Sequence, residues 1–173
     1  METTDALLNR RSVREYQDKK VEDTKIRQIL EAGLSAPSCT NARDWAFIVV
    51  DDKETLNKMA DGNGRPAGPL RKCAFAILAC GDLDRAFKRA PDYWIIDVSI
   101  AVENMIIQAQ DLGIGSVWLG TYPQMDRVNA QKALFNLPEN IVPHSIVAFG
   151  YPKENKIPEK KPYEADRIHY NQW

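Results

Sequence analysis

The sequence has 173 residues, a formal net charge of -1, 44% hydrophobic and 27% charged residues. That is the balance of one folded domain with a core of useful size, and it excludes a disordered chain and a general nucleic-acid binder. No apolar run approaches the roughly 18 residues of a membrane span, and the first residues lack a signal peptide's hydrophobic segment.

After a short amphipathic run at Asp5 to Asn9, the stretch Arg10-Arg11-Ser12-Val13-Arg14 sets three guanidinium groups and a hydroxyl around one apolar residue. Planar, permanently charged forks suit a phosphate dianion, so the stretch reads as an anion pocket for a small partner. Solvated decoration is the competing reading of an Arg-rich chain start. Val21 to Leu34 places Ile26, Ile29, Leu30 and Gly33 at helical spacing, with Asp23 near the start, and ends before Pro37. The polar linker Ser35 to Asp44 then runs into Trp45 to Val50, a continuous apolar run that predicts a buried strand.

Lys53 to Ala60 is a short helix with Leu56 and Met59 inward, and Asp61 to Pro69 is a loop on its Gly and Pro content. Cys73 to Cys80 predicts a second buried strand, its two thiols serving as small core residues. Asp92 to Leu112 is the longest helical segment. Ile95, Val98, Val102, Met105, Ala109 and Leu112 form one apolar seam, and Ile96, Ile100 and Ile107 a second one on the opposite side. A helix with two apolar faces has to be covered twice, and in a chain this short the second cover is expected from another copy.

Gly113 to Gly120 opens on a helix-capping glycine and continues into a strand, Asp126 to Phe135 is a helix, and His144 to Gly150 is a fourth strand. Strands alternating with helices imply an α/β or α+β sandwich with its sheet covered on both faces. From Lys153 to Trp173 the chain is polar but ends on Ile168, Tyr170 and Trp173, which predicts a docked extension, along a sister subunit for instance. Cys39, Cys73 and Cys80 have neither metal-ligand spacing nor an even count, so free thiols, a cytoplasmic setting and no metal are expected.

The order of these stretches resembles the flavin-dependent nitroreductase family. The matching pieces are Arg10-Arg11-Ser12-Val13-Arg14, Ala36-Pro37-Ser38-Cys39-Thr40-Asn41 leading into Trp45, the helix around Asn104, Gly113 to Gly120, Gly150-Tyr151-Pro152, and the terminal Ile168 to Trp173. The resemblance implies an α+β sandwich, its central mainly antiparallel sheet covered by helices, in an intertwined homodimer. It makes 1–173 a single domain, with 153–173 a C-terminal extension on the partner, and places one FMN at each of two sites between subunits.

On that pattern Arg10 binds the FMN phosphate, Arg11 lies in the same anion pocket, and Ser12 meets the phosphate or ribityl chain. Arg14 reaches the pyrimidine edge of the ring, and Lys160 or Lys161 completes the phosphate site. Pro37, Ser38, Cys39 and Asn41 come from the partner subunit against the ring, and Leu119 and Gly120 offer backbone N–H groups towards N5 and O4. A cation at the pyrimidine edge favours negative charge on the reduced ring, and a donor at N5 positions it for hydride transfer. The implied activity is reduction of nitroaromatic, quinone or similar small acceptors by NADH or NADPH in a ping-pong cycle, with no nucleic acid or membrane as partner.

This sequence departs from the family at Cys39, where many relatives have Ser, and at Arg43-Asp44-Trp45, where Gln-Pro-Trp is common. The connection from Gly81 to Asp92 is too short for the lid helices of larger members, which implies a more open acceptor site of broad selectivity. Two other functions stand beside the reductase: an FMN store or sensor without turnover, and a cysteine hydrolase using Cys39 with His144 or His169 as base. Trp45 and Trp118 read as core, and Trp94 beside Tyr93 is expected at the interface or pocket mouth.

Overall fold

The computed structural model describes residues 2–154, 159 and 162–173. In chain order the described elements are α1 (Thr3–Asn9), α2 (Asp23–Leu34), β1 (Trp45–Val50), α3 (Lys53–Asn63), β2 (Phe75–Asp82), α4 (Trp94–Asp111), β3 (Gly115–Gly120), α5 (Met125–Phe135) and β4 (Ile141–Gly150). Local chemistry explains several boundaries. Asp52 caps α3 by accepting the Thr55 N–H at 2.8 Å, and Asn136 ends α5 in the left-handed conformation at φ 48°.

The strands form one antiparallel sheet in the order β1-β2-β4-β3. Alternation along the strands divides the core in two. Phe75, Ile77, Ala79, Val147 and Phe149 face α2 and α4, and Phe75 stacks on its cross-strand partner Phe149 with centroids 4.8 Å apart. Ala76, Leu78, Cys80, Ile146 and Ala148 face the other way, towards α3 and α5. The α+β sandwich with a helix-covered antiparallel sheet is therefore the observed architecture.

Several expectations need correction. Trp45 to Val50 is a strand, but an edge strand with Val49 41% exposed, because an apolar run cannot reveal which neighbours pair with it. The Asp61 to Pro69 region is not irregular. The third helix continues to Asn63, and Arg65–Arg71 forms a 3-10 helix. Gly62 is there for packing, since a Cβ would meet Ala130 Cβ at 3.0 Å, and Gly64, at φ +79°, is the actual break. Trp94, expected at the interface or pocket mouth, is instead 4% exposed and packs on Gly81 and Tyr122, and the surface position falls to its neighbour Tyr93, 47% exposed.

The inner face of α4 is also wider than the predicted seam, with Trp94, Asp97, Ala101 and Ile106 buried alongside Val98, Val102, Met105 and Ala109. The opposite stripe is left open in the single chain, with Ile96 53% exposed and Ile100 and Ile107 half-buried.

β4 begins earlier than expected, at Ile141, because a bulge interrupts it: Ala79 pairs with Ser145 but Cys80 with Pro143, leaving His144 as the extra residue. The bulge turns His144 between Trp94 and Trp118, where its ring nitrogens meet Ser99 Oγ at 3.2 Å and Ser145 Oγ at 3.0 Å. Burial pushes its pKa down to about 4, so the ring is neutral and structural.

Candidate functional site

The Arg10–Tyr16 segment is fastened to the open edge of β3. Ser12 forms a parallel bridge with Ser116, and the Val13 N–H donates to the Ser116 carbonyl at 2.8 Å. Val13 and Tyr16 are buried and act as pins. The Tyr16 hydroxyl points between the carbonyls of Val13, at 2.6 Å, and Ala148, at 3.1 Å, and burial holds the phenol protonated. Two glycines make the docking possible: a Cβ on Gly115 would meet the Val13 side chain at 2.8 Å, and one on Gly150 would meet the Tyr16 ring at 2.9 Å.

With those pins inward, the polar residues between them turn outward. Ser12 and Arg14 are exposed, and Arg10 and Arg11 are half-buried. Arg11, Val13, Arg14, Glu15, Lys153 and Glu154 line a depression of about 350 Å³. Glu15 is neutralised by Lys72, which donates to its carboxylate at 2.8 and 3.0 Å. Arg11 donates to the Glu154 carbonyl at 2.6 Å, and the three cations that line the depression, Arg11, Arg14 and Lys153, outnumber its remaining acid, Glu154, which gives it a positive field. Lys153 is an addition to the sequence-derived set, and Lys160 and Lys161 lie outside the described residues.

Farther along the same edge are Leu119, buried, and Gly120, exposed. Because Ser116 turns its carbonyl outward to Val13, strand alternation turns the peptide groups of Trp118 and Gly120 outward too, and those of Val117 and Leu119 towards β4. Only Gly120 thus offers the edge-facing N–H that was expected of both. Its carbonyl is fixed by Asn63 Nδ2 at 3.2 Å and Arg127 at 2.9 Å. A Cβ built on Gly120 would meet no heavy atom within 4 Å, so the space beside this peptide is open.

Pro37, Ser38 and Cys39 lie elsewhere, in the turn that precedes β1, where they line a hollow of about 330 Å³ with Tyr93, Ile96, Asp97 and Ile100. The turn is tight: Thr40, Asn41 and Arg43 have φ of 50°, 57° and 50°. Its N–H groups are tied by Ser38 Oγ, which accepts from Arg43 at 2.9 Å, and by Asp97, whose two oxygens each lie 3.0 Å from the Cys39 nitrogen. Asn41 is exposed and does not line the hollow.

Sequence reasoning missed Asp97 as a site residue. The available signal was its position three residues after Trp94 and four before Ala101, on the inner face of the helix. Cys39 is half-buried, and neither histidine is placed to serve it. His144 is bonded to two serines, and His169 stacks on Trp173 with centroids 4.4 Å apart.

The two groups of residues occupy opposite edges of one sheet, β3 and β1, so three strand spacings, or about 14 Å, separate them. The nitroreductase family model matches residues 7–63 and 65–151. The chain belongs to that family.

Three relatives show how closely this nitroreductase family member follows others. A protein of Archaeoglobus fulgidus, provisionally named an NADH dehydrogenase/NAD(P)H nitroreductase, is 43% identical over 173 residues, covering 96% of this chain and 96% of its own. A crystal structure of a protein with the same provisional name from Bacteroides thetaiotaomicron superposes with a TM-score of 0.91 at 40% identity, covering 100% of this chain and 99% of that one. The FMN reductase [NAD(P)H] of Bacillus subtilis is 31% identical, over 93% of this chain and 69% of its own length. Among the described residues no helix is long and apolar enough to cross a membrane, and no three or more His, Cys, Asp or Glu gather in a way that could hold a metal ion.

Proposed function

We propose that this chain is an FMN-dependent NAD(P)H oxidoreductase, active as a homodimer in the cytoplasm, that reduces small acceptors such as nitroaromatics or quinones in a ping-pong cycle. The observation that carries this reading is the β3 edge of the sheet in a nitroreductase family member, where the cationic depression of the segment docked on β3 and the outward Gly120 N–H lie along one edge. The residues suit FMN on two counts. Arg11 and Lys153 match a phosphate dianion, and the open space at Gly120 admits a flat ring against the backbone.

When bound, FMN supplies the ring that accepts and gives hydride. The chain's own part is to bind and orient. Arg10, Arg11 and Ser12 hold the phosphate end, and Arg14 stabilises negative charge at the pyrimidine edge. Gly120 aims a backbone donor at the reacting side of the ring. The Pro37–Asn41 turn of a second copy walls the other side, because within one chain it sits at the wrong edge of the sheet.

Support for the homodimer comes from what one chain leaves uncovered. Ile96 is 53%, Leu7 51% and Leu8 66% exposed, and the 162–173 stretch presents Ile168, Tyr170 and a fully exposed Trp173. We assign the whole of 1–173 to one domain whose extension, 153–173, docks on the partner. The short connection between β2 and α4 leaves the hollow by Tyr93 open, in keeping with broad acceptor selectivity. Three free cysteines fit a reducing compartment.

The test is the visible spectrum of the purified protein before and after anaerobic NADH or NADPH, followed by steady-state oxidation with a nitroaromatic or quinone. A bound-flavin spectrum that bleaches, with parallel double-reciprocal plots, is the expected result. Colour without bleaching identifies a flavin store or sensor instead. A colourless protein that takes up no FMN refutes the reading.

A further inference from the structure

Two buried acids lie under the Pro37–Asn41 turn and take no part in the chemistry described above. Asp97 is 3% exposed and spends both carboxylate oxygens on the single N–H of Cys39. Asp44, at the end of the same turn, is 0% exposed, and neither of its carboxylate oxygens has a partner among the described residues. A buried, unpartnered carboxylate is costly as an anion and tolerable as an acid.

The turn between them needs holding. Thr40 and Asn41 within it, and Arg43 just after it, are non-glycine residues with left-handed φ, a conformation such residues adopt only at a cost. Within the turn Asn41 donates to Ser38 O at 3.0 Å and Ala42 to Cys39 O at 2.9 Å. The bond from Cys39 to Asp97 is what ties the turn to α4. We propose that Asp97 is the positioning residue for the Pro37–Asn41 turn and that the buried Asp44 beside it is kept as the neutral acid, the turn being firmly set with the Asp44 proton in place and loosened when Asp44 ionises. This inference rests on the reading that the turn walls the flavin pocket.

The surroundings fit. Burial first and the Asp97 charge second push the Asp44 pKa up to about 6, against smaller opposing pulls from the backbone N–H of Asp44 and then from Arg85. Arg85, in the segment after β2, points its Nε at Ala42 O at 3.5 Å. Arg43 lies over Trp45, 5.5 Å from its centroid, and Asp82 is occupied by Asn140 at 2.8 Å. His144, which bonds α4 through Ser99, is neutral. A protonated Asp44 thus removes the repulsion between the two carboxyls and leaves the Asp97 bond to Cys39 in place.

The experiment measures FMN affinity of the full-length protein, by quenching of FMN fluorescence, from pH 5 to 8.5 for wild type, Asp44→Asn and Asp97→Asn. The FMN phosphate itself titrates near pH 6, so the readout is the ratio of variant to wild type at each pH. The side-chain amide introduced by Asp44→Asn is a permanent donor, and the affinity of that variant relative to wild type should rise at least fivefold between pH 5 and 8. Asp97→Asn should weaken binding about tenfold at every pH. Profiles for Asp44→Asn and wild type that stay parallel overturn the role of the Asp44 proton, and an unchanged Asp97→Asn overturns the positioning role.

If wild type binds no FMN at any pH, the functional reading fails by itself, and the pair is judged by melting temperature. There Asp44→Asn must gain on wild type as the pH rises, or the proposal falls. If Asp44→Asn does not fold, carboxyl carbon resonances of wild type decide: one aspartate titrating near 6 is expected, and none titrating above about 5 refutes it.

Discussion

Replacing Gly115 by alanine tests whether the arginine segment is held by backbone contact with β3. The added Cβ would lie 2.8 Å from Val13 Cβ, 2.8 Å from Cγ2 and 2.9 Å from Cγ1. Turning χ1 exchanges the methyls but leaves Val13 Cβ in place, so no rotamer relieves the clash. Carbon atoms rest at about 3.5 to 4.0 Å, so the segment must retreat by about 1 Å. The Val13 N–H bond to Ser116, now 2.8 Å, would stretch beyond any useful length. Losing it costs about 1 kcal/mol and overpacking about 1 to 3 more. For a domain of this size that is a fall of roughly 4 to 16 °C in melting temperature. Ser12 and Arg14 ride on the same segment, so FMN affinity should fall tenfold or more in a fluorescence titration run well below the new Tm. Gly68→Ala, where no atom lies within 4 Å, is the control. A Gly115→Ala protein that melts within about 2 °C of wild type and binds FMN equally would refute the docking argument.

Arg14→Ala should lower FMN affinity at least tenfold while leaving the melting temperature within about 1 °C, since the side chain is exposed; a large loss of stability instead would make Arg14 a structural residue. Gly120→Val should fold normally, because its Cβ space is empty, yet bind flavin poorly by filling that space; unchanged flavin binding would move the ring elsewhere. Two buried groups should oppose each other with pH. His144, lowered from 6.5 to about 4, binds fewer protons folded than unfolded, so its contribution of up to about 3 kcal/mol is present above pH 6.5 and lost as pH falls through 4. Asp44, raised from 3.8 to about 6, contributes a similar amount, about 3 kcal/mol, below pH 3.8 and loses it as pH rises through 6. Melting curves should therefore rise from pH 4 to 6 relative to wild type in Asp44→Asn and fall in His144→Gln; two variants that both track wild type would contradict both environments.

How much of this is written in the sequence depends on whether the information is local. The four strands and four of the helices can be placed because apolar runs and helical periodicity are properties of neighbouring residues. Strand order cannot, and so Trp45–Val50 reads as buried when pairing only with β2 leaves it at an edge. The proline-rich stretch after Asn63 fails for a similar reason. Composition argues for a loop, but the packing of Gly62 on α5 and a 3-10 turn that accommodates Pro66 override it.

The candidate site divides in the same way. Arg10 to Arg14 announces itself by charge, because an outward-facing cationic cluster needs no knowledge of the fold to be conspicuous. Leu119 and Gly120 come as a pair from the family resemblance, and only the hydrogen bond from Val13 to Ser116 fixes which of their N–H groups faces outward. Asp44 and Asp97 are in plain sight as one departure from a motif and one polar residue on a helix. Their meaning is a distance between two elements, and that appears only once α4 crosses above the turn before β1. The same crossing leaves Ile96 and Ile100 beside the hollow at Cys39. The second apolar stripe of α4 and the turn we propose as a wall of the pocket are thus one continuous surface, and a second copy that covers the stripe would also meet that turn.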